Sequence, residues 1–138
     1  MTPYWSEETL ADIELWTDPG MVRDGLRLLR ELPGNAPTEI LLATDLHAGN
    51  VLRAAREPWL VVDPKPFVGD PAYDATQHLL NCRARMHSRP HETIRRFADL
   101  LGVERERVRL WMFARAAAEP RDEWDDAHSI ELARSLAP

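Results

Sequence analysis

The stretch ILLATDLHAGNVL, Ile40–Leu52, decides how the chain reads. Two apolar runs flank a polar segment in which Asp45, His47, Gly49 and Asn50 fall within six positions. A simple hairpin turn requires no such concentration of polar side chains. On either side, EILLAT and, further on, PWLVVD are short runs rich in Leu, Ile and Val, bounded by Pro, Gly, Asn and Asp. They read as strands, with DLHAGN as the loop between them and VLRA as a brief strand pairing back.

Outside this small β element the patterning is helical. Asp18-Pro19 is an N-cap followed by proline at the first helical position, and Val22, Leu26 and Leu29 recur at helical spacing until Pro33-Gly34, giving a helix over about 19–32. Leu10, Ile13 and Trp16, after a cap at Ser6, suggest an earlier one over about 6–16. Beyond Asp70-Pro71, Ala75, Leu79 and Cys82 share one face, and Ile94, Phe97 and Leu101 share another. VRLWMFARAAA within about 104–118 is apolar nearly all round, as a central buried helix would be, and a last helix is expected over about 121–135. The sum is an α+β chain, mainly helical, with polar loops emerging from a β island.

At 138 residues with 44% hydrophobic content, the chain is one domain's worth with enough apolar side chain for one core. A net charge of −6 argues against a nucleic-acid footprint and suits a cationic partner better. A lone Cys82 excludes an intramolecular disulfide, and no signal pattern or apolar run of about 18 residues is present, so the expected location is the cytoplasm. Basic residues are almost all Arg; Lys65 is the only lysine.

Within the loops, Asp45 is followed five residues later by Asn50 and thirteen after that by Asp63, where PWLVVD ends and DPKP turns. All three are oxygen donors at loop or strand ends. Phosphoryl transfer from a nucleotide needs such a set: a carboxylate to orient or deprotonate the attacking hydroxyl, and oxygen ligands to hold Mg²⁺ on the phosphates. A neutral Asn beside an Asp binds metal without excess negative charge facing those phosphates. Asp45 is then the base, and Asn50 and Asp63 are the metal ligands. Taken singly, each has an ordinary reading. Asp45 and Asn50 are turn formers, Asp63 before Pro64 starts a turn, Asp70-Pro71 caps a helix, and Asp74 favours a helix N-terminus by its charge.

TDLHAGNVL followed by LVVDPKPFVGDPAYD resembles the catalytic loop and metal-binding segment of aminoglycoside phosphotransferases, most closely the streptomycin 6-kinase, or aminoglycoside/hydroxyurea antibiotic resistance kinase, branch. The match is strongest over 38–82 and weaker to about 118. The resemblance implies a protein-kinase-like fold, with Asp45 catalytic, Asn50 and Asp63 binding magnesium, and Asp74 in GDPAYD bracing the loop through hydrogen bonds. It implies ATP as the phosphoryl donor and a small, cationic acceptor such as an aminoglycoside.

Two departures stand out. Kinase-like enzymes commonly carry His two positions before the catalytic Asp, where this chain has Ala43; that His braces the loop, so rigidity is what the change puts in doubt. There is also no Gly-rich phosphate loop ahead of Asp45 and no Lys in residues 1–64, so 1–138 reads as a C-terminal lobe without its nucleotide-binding lobe.

His47 is exposed by its loop position, within reach of a substrate or phosphate, though a local hydrogen bond is the simpler expectation. His78 on an apolar helix side reads as a satisfied core histidine. In EPRDEWDD, the acids Glu119, Asp122, Glu123, Asp125 and Asp126 are candidates for a polycationic substrate, with Trp124 offering a cation–π face. The preferred reading there is a solvated helix start enriched in acids by the macrodipole. Two functions follow: an ATP-dependent phosphotransferase lobe acting on an alcohol group, or a catalytically silent remnant that serves as a binding or interaction module.

Overall fold

A computed structural model describes residues 9–119 and 127–138. Among the described residues the helices α1 (Pro19–Gly34), α2 (Pro71–Asn81), α3 (Arg83–Ser88), α4 (Pro90–Leu101), α5 (Arg105–Ala118) and α6 (Ala127–Leu136) accompany short strands. The strands are β1 (Ile40–Leu42), β2 (Val51–Arg53), β3 (Trp59–Val61) and β4 (Phe67–Gly69). The α+β character expected from the patterning is what the chain adopts. No helix among the described residues is long and apolar enough to cross a membrane.

The core is built around α5. Its residues from Trp111 to Ala118 are all buried, and α1, α2, α4 and α6 pack on it. The aliphatic side of α1, Val22, Leu26, Leu29 and Leu32, is buried against α5 with Gly25 at the crossing. A Cβ at Gly25 would lie 2.9 Å from the Ala117 Cβ and 3.2 Å from the Ala114 carbonyl oxygen, so only glycine admits this interhelical approach.

One buried charge, Arg115, interrupts the apolar surface of α5. Its guanidinium donates to Thr76 Oγ1 at 2.7 Å, Gln77 Oε1 at 3.1 Å and Glu119 Oε1 at 2.5 Å, and it lies 5.0 Å from the centre of the Tyr73 ring. Such partnering is what a buried cation requires.

Asp70 joins three elements. It caps α2 by accepting from Ala72 N–H at 3.0 Å, accepts from Trp111 Nε1 at 2.7 Å and from the Arg107 guanidinium, and is itself only 3% exposed. Arg107 also donates to Asn35 Oδ1 and to the Leu32 carbonyl at the end of α1. The sequence disclosed the cap; the ion pair with α5 needed the fold.

The strands form two antiparallel ladders. β1 pairs with β4, Leu42 opposite Phe67, and β2 pairs with β3, Val51 opposite Val61. That register brings the 43–50 loop and the 62–66 loop side by side at the shared ladder end. Leu42 is the one buried strand residue; Leu41, Leu52, Trp59, Val61, Phe67 and Val68 are exposed.

Several expectations need correction. The first helix does not run unbroken to Trp16: residues 9–11 are helical and a separate 3₁₀ turn spans Ile13–Leu15, so Ile13 and Trp16 are buried while Leu10 is 40% exposed. Residues 6–8 of that expectation lie outside the described residues. Leu101 is 45% exposed because α4 ends in a left-handed Gly102, φ 68°. Val103 N–H then reaches back to the Ala98 carbonyl at 3.0 Å, so Val103 rather than Leu101 packs on the core. β4 and α3 were not foreseen; each is short, and FVG lies between Pro66 and Asp70 without alternation.

Two variants test this packing. Gly25→Ala gains about 1 kcal/mol of helix propensity but forces α1 off the backbone of α5, costing about 1–3 kcal/mol, so chemical denaturation should show a net loss, and Gly25→Val a larger one. Asp70→Ala should destabilise by about 3–5 kcal/mol by stranding the Arg107 charge, with Asp70→Ser less harmful because it keeps the cap.

Candidate active site

The backbone after β1 is held before any side chain is considered. Ala43 N–H donates to Asp74 Oδ2 at 2.9 Å and Thr44 N–H to Asp74 Oδ1 at 2.8 Å. The Ala43 carbonyl accepts from Asp45 N–H at 2.8 Å and from Lys65 N–H at 2.9 Å. Thr44 Oγ1 donates to the Lys65 carbonyl at 2.5 Å. Thr44 adopts φ 56°, an uncommon conformation for a β-branched residue, so these contacts hold a turn the chain would otherwise relax. The loop draws its rigidity from the backbone of Ala43, where a bracing His was the expected pattern.

The turn presents Asp45. Its Oδ2 accepts from Lys65 Nζ at 2.8 Å, and His47 Nε2 lies 3.7 Å from its Oδ1. The Lys65 hydrogen bond holds the Asp45 carboxyl below the ordinary carboxylate range against partial desolvation, with the charges of Lys65, His47 and Arg115 adding to it. The same bond pushes the Lys65 ammonium up. Asp45 is therefore ionised near neutrality, a hydrogen-bond acceptor facing solvent.

His47 makes a local contact: its Nδ1 accepts from Gly49 N–H at 3.1 Å and caps the 3₁₀ turn Ala48–Asn50. That turn delivers Asn50, whose Nδ2 donates to the Asp45 carbonyl at 3.0 Å. The Asn50 carbonyl accepts from Val62 N–H at 2.8 Å, extending the β2–β3 ladder by one step and setting Asn50 beside the residue before Asp63. Asp63 has φ 50° and is exposed, and its carboxylate has no hydrogen-bond donor or ion pair among the described residues. Neither has the Asn50 side-chain oxygen. One amide oxygen and one carboxylate, both without partners among the described residues, are the hard oxygen donor types that Mg²⁺ takes alongside water and phosphate oxygens.

Asp45, His47, Asn50, Asp63 and Asp74 are thus brought to one end of the β element. Glu119 is not free in the same sense, because its carboxylate is engaged by Arg115. Asp122, Glu123, Asp125 and Asp126 lie outside the described residues. His78 packs its ring 4.8 Å from Phe97 and sits 3.5 Å from Cys82 Sγ, a partly buried structural position.

Sequence reasoning missed Lys65 as a partner of Asp45, although its being the only lysine was a signal. It also missed Arg115, the lone charge in WMFARAAA. Tyr73 belongs to the same surroundings: burial pushes its hydroxyl up, Arg115 opposes that, and Glu119 and Asp74 add to it. The site is an open shelf. Two concavities among the described residues, about 470 Å³ beside Ile130 and Arg134 and about 150 Å³ beside His87 and His128, include no residue of the Asp45 loop.

Comparison with known proteins agrees in one direction. Residues 9–123 match the family model described as aminoglycoside/hydroxyurea antibiotic resistance kinase. Hydroxyurea phosphotransferase of Kitasatospora aureofaciens is 42% identical over 121 residues, covering 85% of this chain and 34% of that protein. Streptomycin 6-kinase of Streptomyces glaucescens is 34% identical over 147 residues, 94% of this chain and 47% of its own length. Streptomycin 6-kinase of Streptomyces griseus is 38% identical over 114 residues, 78% and 36% respectively. The chain thus spans between a third and a half of the length of these curated relatives. No solved structure matches it significantly. The family match covers most of the chain, including every residue of the shelf around Asp45: this protein belongs to the aminoglycoside/hydroxyurea antibiotic resistance kinase family.

Proposed function

We propose that residues 1–138 carry the phosphoryl-transfer lobe of an ATP-dependent small-molecule kinase. The reaction is transfer of the γ-phosphoryl of ATP to an alcohol oxygen of a streptomycin-like aminoglycoside, with hydroxyurea as the next substrate class. The observation that carries this reading is the Asp74 clamp: one carboxylate accepting from two consecutive backbone N–H groups aims an ionised Asp45 at solvent beside two unpartnered oxygen donors. A net charge of −6 suits a polycationic acceptor.

Asp45 accepts a hydrogen bond from the acceptor hydroxyl, orients its oxygen toward phosphorus and takes up its proton as the new O–P bond forms. Asn50 and Asp63 would hold Mg²⁺, which when bound would neutralise phosphate charge. Asn50 contributes twice, since its amide nitrogen also fixes the Asp45 backbone. Asp74 acts through the turn, keeping Asp45 in place.

A second reading draws on a different observation. Leu41, Leu52, Trp59, Val61, Phe67 and Val68 expose apolar surface on all four strands, as an interaction module would. Concentration-dependent light scattering together with no phosphoryl transfer would favour it.

The kinase reading is tested by mass spectrometry of streptomycin and hydroxyurea after incubation with the chain, ATP and Mg²⁺. A phosphorylated product is expected, its rate falling at least ~100-fold in Asp45→Asn. Equal rates in the two proteins would sink the assignment. Asp74→Asn presents an NH₂ to a backbone N–H; it should lower kcat more than KM, cost about 1–3 kcal/mol, and speed amide exchange at Ala43 and Thr44 before the core opens.

A further inference from the structure

Lys65 is the only lysine among 17 Lys and Arg residues, and the phosphotransfer scheme above gives it no task. Its backbone is docked on the Asp45 loop at both ends, N–H to the Ala43 carbonyl at 2.9 Å and carbonyl to Thr44 Oγ1 at 2.5 Å. Pro64 and Pro66 restrict the chain on either side. Its side chain is 67% exposed, yet the ammonium ends 2.8 Å from Asp45 Oδ2, and Asp63 adds to the negative field on it. Neither of the other basic side chains near Asp45 is placed this way. His47 is turned to the Gly49 N–H, and Arg115 is 8% exposed and held by Thr76, Gln77 and Glu119. Lys65 is therefore a cation with a fixed root and an exposed tip, paired with the Asp45 carboxylate and within the field of Asp63.

We propose that Lys65 is a phosphate-contacting catalytic residue: its ammonium rests on Asp45 in the nucleotide-free chain and moves onto the terminal phosphoryl oxygens of a bound nucleoside triphosphate. This rests on the phosphotransferase reading. An exposed ion pair is readily exchanged, and a terminal phosphate offers more negative charge than one carboxylate. The exchange also frees Asp45 Oδ2 for the acceptor hydroxyl. In the transfer, the bond from acceptor oxygen to phosphorus forms and the bond from phosphorus to the β-bridging oxygen breaks. The nucleoside diphosphate leaves with the electron pair, and the hydroxyl proton goes to Asp45. Lys65 keeps its proton throughout and offsets charge on the group in flight. A compact ammonium on a flexible stem suits a target that moves between two oxygens better than a planar guanidinium does.

The test uses an ATP analogue acylated on its terminal phosphate, which hands the acyl group to an adjacent amine. With Mg²⁺, peptide mapping should find acylation at Lys65, at least ~10-fold faster than with acetyl phosphate and suppressed by excess ATP. In steady-state transfer, Lys65→Met should lose roughly 100-fold in kcat with acceptor KM unchanged, and Lys65→Arg should recover part of it. ATP-protected labelling with no transfer to any acceptor would uphold the phosphate contact while ending the phosphotransferase reading. Asp45-dependent transfer at full rate in Lys65→Met, or labelling that ATP does not suppress, would overturn the proposal for Lys65 and leave that reading intact.

Discussion

The interaction on which this molecule turns is the pair of hydrogen bonds from Ala43 and Thr44 N–H to the Asp74 carboxylate. Hydrogen bonds to a charged acceptor contribute about 1.5–3 kcal/mol each, whereas a strained turn residue costs about 1–3 kcal/mol. The clamp therefore outweighs the positive φ of Thr44 and can hold a turn that local preference opposes. Everything on the shelf inherits that geometry. Asp45 is aimed by it, and Lys65 docks on the same two residues through its backbone.

Asp74 is itself a dependent of the core. It lies in the first turn of α2, whose N-cap Asp70 is fixed by Trp111 and Arg107 on α5. Arg107 in turn holds the last turn of α1. A continuous set of polar contacts thus runs from the buried centre, through one helix N-terminus, to the loop that carries Asp45. Glu119, Arg115 and Tyr73 form a second set on the same side, and the Arg115 charge is felt at Asp45. A cationic ligand approaching Glu119 would compete with Arg115 for its carboxylate.

Local signals suffice where a single element produces them. The α1 cap and its aliphatic stripe, the buried α5, and the three apolar runs of the β element all follow from period and punctuation within a few residues. Elements whose existence depends on a distant partner were not visible. β4 is a strand because Leu42 lies opposite Phe67, and Val103 replaces Leu101 in the core because Gly102 reverses the chain. At the site, Asp45, Asn50, Asp63 and Asp74 were legible as an ordered set. Lys65 stands out in the sequence only as the single lysine, because nothing local says that residue 65 returns to residue 45.

By itself, then, the sequence determined the chemical inventory and its order: an aspartate, an asparagine and two further aspartates at element ends, in a chain with one helical core and a kinase-family signature. Spacing along a chain carries that much because element ends follow from local conformational preference. Only the tertiary structure decided which of those groups meet. Strand register set the 43–50 and 62–66 loops together, helix packing placed Asp74 beneath the turn, and the resulting proximity put an ammonium on the carboxylate of Asp45. Contacts between residues twenty or more positions apart depend on how whole elements pack, and no local preference encodes them.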